Sequence, residues 1–206
     1  MRFALLALAL VGPAAPPPPF TAAVSHATAA QLRQSWRPGC PIAPSQLRRV
    51  SLRHWGFDGA PHTGAVVVSA NVVGDVVTVF RRLYQARFPI RRLRPIDAYG
   101  GDDNRSMAAD NTSAFNCRYA VATGARRWSA HAYGEAIDVN PVENPYVLAG
   151  KVRPRAGAAY LDRSRQRPGM ATASGVLVRA FARVGWQWGG RWSGSPDYQH
   201  FSASGG

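Results

Sequence analysis

Lysine, acidic residues and cysteine are all scarce in this 206-residue chain. Lys151 is the only lysine, and 25 lysine and arginine side chains stand against 11 acidic ones, so nearly all of the formal net charge of +14 comes from arginine. Such a basic protein is attracted to polyanions, including nucleic acid, anionic lipid and the phosphodiester polymers of bacterial walls. Because a GC-rich genome also favours arginine, the charge alone selects no function.

The two cysteines, Cys40 and Cys117, are too few and too far apart in sequence to supply a zinc site by themselves. In an exported protein an even number of cysteines permits one disulfide. We favour a disulfide over two free thiols, although a single pair of cysteines leaves both alternatives open.

The chain has a short apolar run near its start, from Phe3 to Val11. This run is too short for a membrane-spanning helix, which needs about 20 residues. It follows Met1-Arg2 and precedes Pro- and Ala-rich sequence, the pattern of a secretory signal. We predict a signal peptide over residues 1–23, cleaved after Ala23, although the Pro16–Pro19 run leaves the cleavage site open. The protein is then extracytoplasmic, in the bacterial cell envelope, without stable membrane insertion.

The remaining residues are expected to form one domain. Hydrophobic residues make up 46% and charged residues 17% of the chain, an ordinary balance for a globular protein. Residues 24–49 are rich in Ala, Gln, Pro and Arg and are predicted to be a loosely structured lead-in, with a helix near residues 28–36. Residues 50–206 are predicted to be the functional domain, and we expect a monomer.

Within residues 50–206, the hydrophobic pattern predicts a mixture of strands and helices. Strands are predicted over 52–68, 90–99, 113–121 and 136–139, helices over 69–88 and 174–184, a loop over 100–112, and a final strand, turn and strand over 186–201. Because strands and helices do not alternate strictly, we predict an α+β fold: a small antiparallel sheet with flanking helices.

A set of zinc ligands is visible in the second half of the chain. His131, Asp138 and His200 provide two imidazoles and one carboxylate, and a catalytic zinc takes three such protein ligands and leaves one position open. Asp138 lies in an otherwise apolar strand, where an unpaired carboxylate is costly to bury. Asp197 precedes His200 by three residues and remains free to handle a proton. Gly134 is small, which predicts close approach of the backbone to a metal or substrate.

The alternative for His131 is an ordinary surface or capping role, because a histidine and an aspartate seven residues apart often occur by chance. His54 and His62 lie near Asp58 and are interpreted as surface or loop residues, with His62 a candidate for lining the cleft. Four aromatic residues either wall the cleft or pack in the core: Tyr133, Trp186, Trp188 and Trp192.

Together these motifs resemble a known family. Ser129-x-His131-x-x-Gly134-x-Ala136-x-Asp138, followed by Asp197-x-x-His200-Phe201, is similar to the bacterial zinc D-alanyl-D-alanine carboxypeptidases (VanY-like), which include phage L-alanyl-D-glutamate endolysins. The similarity extends over residues 50–202 through further segments: His62-x-Gly64, Phe88-Pro89-Ile90, Asp97-Ala-Tyr-Gly100, Asn111 to Arg118, Asn140-Pro141, Asn144-Pro145-Tyr146 and Gly185-x-x-Trp188-Gly189-Gly190. The resemblance implies the small α+β fold shared with the hedgehog N-terminal signalling domain.

The resemblance also implies roles for individual residues. His131, Asp138 and His200 would bind Zn²⁺, and Asp197 would be the catalytic carboxylate. Many relatives carry glutamate at that position, and the shorter aspartate leans slightly toward endopeptidase cleavage. An arginine would stabilise the substrate carbonyl: Arg118 or Arg105, of which we favour Arg118 because its predicted strand runs toward the site.

The expected function is therefore hydrolysis of peptidoglycan stem peptides by a secreted zinc peptidase, of the D-Ala-D-Ala carboxypeptidase or the L-Ala-D-Glu endopeptidase type. One alternative is a non-catalytic, zinc-containing module that binds the cell wall, although a structural zinc site has no use for the free carboxylate of Asp197. A nucleic-acid binder is disfavoured, since the sequence has no recognisable reading helix or stacking motif and carries an export pattern.

Overall fold

The first half of the chain is organised by a long β-hairpin. In the computed structural model, which describes residues 16–121 and 125–205, strand β2 (Leu47–Trp55) pairs antiparallel with β3 (Pro61–Ser69) over the full length of both. This hairpin confirms the strands predicted around residues 52–68. Strand β1 (Ala22–His26) pairs with β2 and completes a sheet of order β1-β2-β3.

The residues just before β1 are also part of the fold. Phe20 packs against the main core, with its ring 5.8 Å from that of Tyr84. The Tyr84 hydroxyl donates a hydrogen bond to the carbonyl of Pro18, and the Arg53 guanidinium donates one to Pro19. Cleavage after Ala23 would therefore remove packed residues and cut within β1. The apolar segment of the predicted signal lies in residues 1–15, outside the described residues.

Helix α1 (Val73–Gln85) follows one 3₁₀ turn and confirms the helix predicted over 69–88, although it ends before Pro89. Its buried stripe includes Val76, Phe80 and Leu83, as helical spacing requires. This stripe belongs to the main core, together with apolar side chains of the hairpin and of helix α3 (Val176–Ala182): Val50, Leu52, Val66, Val68, Leu177 and Phe181. Helix α3 confirms the helix predicted over 174–184, with Gly175 as its capping residue.

The middle of the chain differs from the prediction. The segment predicted as a loop contains helix α2 (Asp103–Ala108), because the side chain of Asp102 accepts a hydrogen bond from the Arg105 N–H and caps the helix. The strand predicted over 90–99 is reduced to β4 (Arg92–Leu93), which pairs in parallel with β5 (Asn111–Thr112).

The strand predicted over 113–121 is also wrong. This segment makes only isolated bridges, Ser113 with Asp138 and Tyr119 with Trp128. Its backbone N–H groups donate to different neighbours, including Val67 for Phe115, so no single strand pairs with it along its length.

A second small sheet, of order β6-β10-β9, lies in the C-terminal half. It consists of β6 (Ala136–Asp138), β10 (His200–Ser202) and β9 (Gln187–Trp188), all antiparallel. A separate hairpin, β7 (Tyr146–Leu148) and β8 (Lys151–Arg153), stands beside it, and Tyr146 forms an isolated bridge with Asp197.

The lead-in is not loosely structured as predicted. The helix expected near residues 28–36 is a single 3₁₀ turn (Ala29–Gln31) capped by Thr28. The apolar lead-in residues Ala27, Leu32, Ile42 and Leu47 pack with Val67 of β3 and with Phe115 in a second cluster, on the hairpin face opposite the main core. Cys40 and Cys117 form a disulfide that ties the lead-in to the segment preceding Arg118, with Cα atoms 5.8 Å apart.

The architecture is α+β, with several small, mostly antiparallel sheets and few helices, as predicted. Among the described residues, no helix combines the length and the apolar character needed to cross a bilayer.

Candidate metal centre

His131 is held on a 3₁₀ turn (Ala130–Tyr133) by its flanking residues. The Ser129 hydroxyl caps this turn by accepting a hydrogen bond from the His131 N–H at 3.3 Å. On the imidazole ring, Nδ1 lies 2.6 Å from the carbonyl oxygen of Ala114, so Nδ1 is the nitrogen that carries the proton and donates. The lone pair of a neutral His131 is therefore on Nε2, the arrangement typical of a metal-ligating histidine.

Gly134 ends this turn, but not for the reason that the sequence suggested. Its φ of +70° is in the left-handed region, and a Cβ there would lie 2.6 Å from the backbone nitrogen of Ser69. The Ser69 N–H donates to the Gly134 carbonyl at 2.9 Å. Glycine is therefore required for contact with the end of β3 instead of for close approach to a metal or substrate.

Asp138 and His200 face each other across the second sheet, as directly paired residues of β6 and β10. His200 Nδ1 lies 3.2 Å from Asp138 Oδ1, and His131 Nε2 lies 3.2 Å from Asp138 Oδ2. The two histidine nitrogens are also 3.2 Å apart. All three side chains are buried. The structure thus brings together the three residues that the sequence singled out as ligands.

The spacing of these atoms fits a bound metal ion. Ligands at zinc-typical bond lengths in a tetrahedron are separated by about 3.3 Å, close to the three distances observed. Two imidazole nitrogens and a carboxylate oxygen also form a common donor set for this ion. In the part of the chain that the structure describes, this is the one group of three or more His, Cys, Asp or Glu residues arranged to hold a metal ion.

The electrostatics of the cluster favour an ionised Asp138. Burial alone would raise the pKa of this carboxyl, but the charges and hydrogen bonds of His131 and His200 outweigh burial and hold the pKa below its usual range. Asp138 therefore remains an anionic ligand over the whole physiological pH range.

Asp197 is the second buried carboxylate of the site. Its Oδ1 is buried and has no hydrogen-bond partner among the described residues. Burial first, and then the negative charge of Asp138, raise the pKa of Asp197 to about 7. Its backbone is fixed by a hydrogen bond from its N–H to Gly189, and a Cβ on Gly189 would lie 2.8 Å from the Asp197 carbonyl oxygen. A group held in this way can exchange protons near neutral pH.

The four residues lie on a cavity of about 530 Å³. Three arginines and three aromatic residues also line it: Arg118, Arg127, Arg153, Trp128, Tyr146 and Trp192. Arg118 is 24% exposed and pairs with Asp103 at 3.1 Å. Arg105 is 76% exposed, pairs with Asp102, and does not line the cavity. The structure thus places the favoured arginine at the site and the other one outside it.

Of the four aromatic residues considered for the cleft wall, Trp192 alone lines this cavity. Trp186 is buried in the main core beside Phe181, and Trp188 packs against that core. Tyr133 is 41% exposed and is not a lining residue. These three positions have packing or surface roles because their strands and turns direct them away from the cavity.

Of the two histidines interpreted as surface or loop residues, His62 is exposed, as expected, and His54 is not. His54 is buried in β2, not a surface residue. His62 lines a different cavity from the one at the metal cluster.

Sequence reasoning missed Arg127, Arg153, Trp128 and Tyr146. The Trp128 ring stacks on Tyr119 at 4.0 Å, and the Tyr146 hydroxyl donates to the carbonyl of Val121. Tyr146 belongs to one of the motifs of the resemblance, but no motif signals Arg127, Trp128 or Arg153, which hairpin β7–β8 and single bridges bring to the cavity.

Comparison with known proteins gives one match. Residues 123–203, less than half of the chain, match the family described as D-alanyl-D-alanine carboxypeptidase. The matched segment contains His131, Asp138, Asp197 and His200, whereas Arg118 precedes it. The earlier segments of the resemblance therefore lie outside the match. No curated protein and no solved structure matches the chain significantly.

Proposed function

We propose that this protein is a secreted zinc peptidase of the D-alanyl-D-alanine carboxypeptidase family that hydrolyses peptide bonds in peptidoglycan stem peptides. The observation that carries the proposal is the pairing of a three-ligand cluster with a separate buried carboxylate on the same cavity. His131, Asp138 and His200 present their donor atoms to one point, and Asp197 lies on the same cavity with its buried Oδ1 free of hydrogen-bond partners among the described residues.

In this proposal His131, Asp138 and His200 hold the ion. A zinc ion so bound supplies Lewis acidity toward the scissile carbonyl and the attacking water. Asp197 accepts the proton of the water and transfers it to the leaving amine. Its raised pKa suits this task, because a group that titrates near the working pH both accepts and releases a proton readily.

In this proposal, arginine side chains of the cavity complement the negative charge of the substrate. Arg118 is positioned to stabilise the oxyanion that develops on the scissile carbonyl. Arg127 and Arg153 add two more guanidinium groups to the wall. Stem peptides carry free carboxylates, and guanidinium groups bind carboxylates in a planar, bidentate geometry. Both the D-Ala-D-Ala and the L-Ala-D-Glu type of substrate present such a group, so the arginines support the substrate class and not the choice of bond.

The alternative is a zinc-containing module that binds the wall without cutting it. Such a module needs the three ligands but has no need for a second buried carboxylate beside them. Burying Asp197 without a partner costs free energy, which a purely structural site has no reason to retain. The buried position of Asp197 therefore favours the peptidase.

The test compares the wild type with Asp197→Asn, a substitution that keeps the shape of the side chain and removes its basicity. Both proteins are loaded with zinc, freed of unbound metal and incubated with purified muropeptides, and the products are read by mass spectrometry. We expect the wild type to release either one D-alanine or a peptide cut after L-alanine, and a chelator to abolish this activity. Asp197→Asn should retain one zinc per chain and lose hydrolysis by at least about 10²-fold.

Three outcomes are informative. Hydrolysis by zinc-loaded Asp197→Asn at the wild-type rate overturns the role of Asp197. A wild-type protein that binds zinc and sediments with purified cell wall, but releases no product, favours the binding module. Wild-type activity that survives complete removal of metal excludes the metallopeptidase.

A further inference from the structure

A second cavity, of about 320 Å³, lies between the β2–β3 hairpin and the segment of residues 91–95. Six basic side chains line it: Arg49, His54, His62, Arg91, Arg92 and Arg94. Among the described residues, no aspartate or glutamate lines it, and none of its lining residues belongs to the cavity of the metal centre. The concentration of positive charge in one concave site is thus distinct from the proposed peptidase centre.

The cavity depends on the close packing of the hairpin with β4. A Cβ on Gly64 would overlap both the backbone carbonyl and the side chain of Leu93. The absence of a side chain at Gly64 therefore lets the arginine-rich segment lie directly against β3. On β2, Arg49 and Ser51 alternate with the buried Val50, so they face away from the main core.

Some of the six basic groups are already neutralised. Arg91 pairs with Asp110 at 3.4 Å and with Glu143 at 3.6 Å. His62 pairs with Asp58 at 2.9 Å. The Arg92 guanidinium donates to the carbonyl of Ala109. The two carboxylates offset the charge of Arg91, whereas the hydrogen bond to Ala109 orients Arg92 and leaves its charge in place.

Arg49 and Arg94 are different. Arg49 donates to the hydroxyl of Ser51 at 3.0 Å, and neither arginine forms an ion pair among the described residues. His54 is only 6% exposed, and its Nδ1 lies 3.2 Å from the Trp55 carbonyl oxygen. Its Nε2 has no hydrogen-bond partner in the described part of the chain, although the residue lines the cavity. Two guanidinium groups without an ion pair among the described residues and a buried imidazole thus line the same cavity.

We propose that this cavity is a binding site for a phosphate group. The planar guanidinium groups of Arg49 and Arg94 match the oxygens of a phosphate in a bidentate manner, and the hydroxyls of Ser51 and Thr63 add further donors on the same wall. The phosphate is either a free ion or part of a phosphodiester polymer. The proposal is independent of the peptidase function, because it uses none of the same residues.

The test measures binding of inorganic phosphate and, separately, of a short glycerol-phosphate oligomer by isothermal titration calorimetry. The full chain is compared with the double variant Arg49→Gln/Arg94→Gln. The matched control is Arg33→Gln/Arg183→Gln, which removes the same charge from two exposed arginines elsewhere. We expect saturable binding that weakens at least about 10-fold in the first variant and less than about 2-fold in the control.

The two probes distinguish a free phosphate ion from a phosphodiester polymer as the ligand of this cavity. Binding of both probes identifies the phosphate group as the recognised element, whereas binding of the oligomer alone identifies the phosphodiester polymer. Equal weakening in the control shows a general charge effect and overturns the site, as does the absence of saturable binding to either probe. If the double variant unfolds, the single variant Arg94→Gln replaces it in the calorimetry. In the wild type, NMR then shows whether the His54 ring resonances shift when phosphate is added, and the absence of both effects overturns the site.

Discussion

His200 lies directly opposite Asp138 in the antiparallel pair of β10 and β6, with Nδ1 of one 3.2 Å from Oδ1 of the other. The next pair in the register, Phe201 with Ile137, is fully buried in the main core. Because side chains alternate along a strand, burial of Phe201 and Ile137 on one face puts His200 and Asp138 together on the other. The register that builds the core thus also positions two of the proposed ligands.

We predict that Asp138→Asn abolishes tight zinc binding. The amide keeps the size of the carboxylate but removes its charge, so two neutral imidazoles remain as the only strong ligands. Metal content after dialysis should fall from one ion per chain to less than about a tenth of that, a loss in affinity of at least about 10²-fold.

The control is Asp58→Asn, which removes an exposed carboxylate that pairs with His62 away from the metal centre. It should leave zinc content unchanged. Stoichiometric zinc in folded Asp138→Asn would contradict the proposed ligand set.

The residues of the candidate site are easier to recognise in the sequence than the short elements around them. His131, Asp138, Asp197 and His200 are recognisable because their chemistry depends on residue type and spacing, and the structure places all four on one cavity. Helix α1 was also predictable, since its apolar stripe is long and strongly periodic.

The errors fall where short segments obtain their structure from distant partners. Helix α2 has six residues and depends on its Asp102 cap, so its polar sequence is typical of a loop. Segment 113–121 is apolar enough for a strand, but its hydrogen bonds go to several unrelated neighbours. Arg153 reaches the cavity through a two-strand hairpin, and no local pattern records that contact.

Arg118 and Arg105 allow a matched test of oxyanion stabilisation. Arg118 lines the cavity beside the metal cluster, whereas Arg105 is largely exposed to solvent. We predict that Arg118→Ala lowers kcat/KM by about 10²–10³-fold, as the loss of an oxyanion donor usually does. Arg105→Ala should change kcat/KM by less than about 2-fold.

Steady-state hydrolysis of a defined stem peptide gives both values, and zinc content shows that the metal centre is intact. An equal loss in both variants would mean that the arginines act through overall charge, and unchanged kinetics in Arg118→Ala would remove it from the mechanism.

The position of Phe20 leads to a prediction about the N-terminus. A chain that begins at Val24 lacks the packing of Phe20 and two backbone pairs of β1, Ala22 with Leu52 and Ala23 with Ser51. We expect it to be less stable than a chain that begins at Pro16 by about 2 kcal/mol, because the loss of the two strand pairs adds to the loss of the partly buried Phe20, and full burial of a large apolar side chain contributes about 1.5–3 kcal/mol.

Thermal unfolding of the two chains checks this difference, which corresponds to a decrease in Tm of about 4–8 °C for a protein of this size. Phe20→Ala in the longer chain should reproduce part of the loss. Identical Tm values would show that residues 16–23 are dispensable and would remain compatible with cleavage after Ala23.

Glu143 should give the protein an unusual dependence of stability on pH. Its side chain is 1% exposed, and its Oε2 has no hydrogen-bond partner among the described residues. Burial first, and then the neighbouring Asp110 carboxylate, raise the pKa of Glu143 to about 8, although Arg91 opposes this shift. Between its ordinary pKa of 4.5 and about 8, the folded protein retains a proton that the unfolded chain has released. The contribution of Glu143 to the free energy of unfolding therefore decreases as pH rises through this window.

We predict that Glu143→Gln removes this decrease, because glutamine stays neutral at every pH. The free energy of unfolding of the variant relative to that of the wild type should rise between pH 5 and 8, by up to about 1.4 kcal/mol per pH unit. Urea titrations at several pH values measure the difference. Taking this difference cancels the contribution of Asp197, which both proteins share. A flat difference for Glu143→Gln would mean that Glu143 is ionised in the folded protein, with Arg91 outweighing its burial.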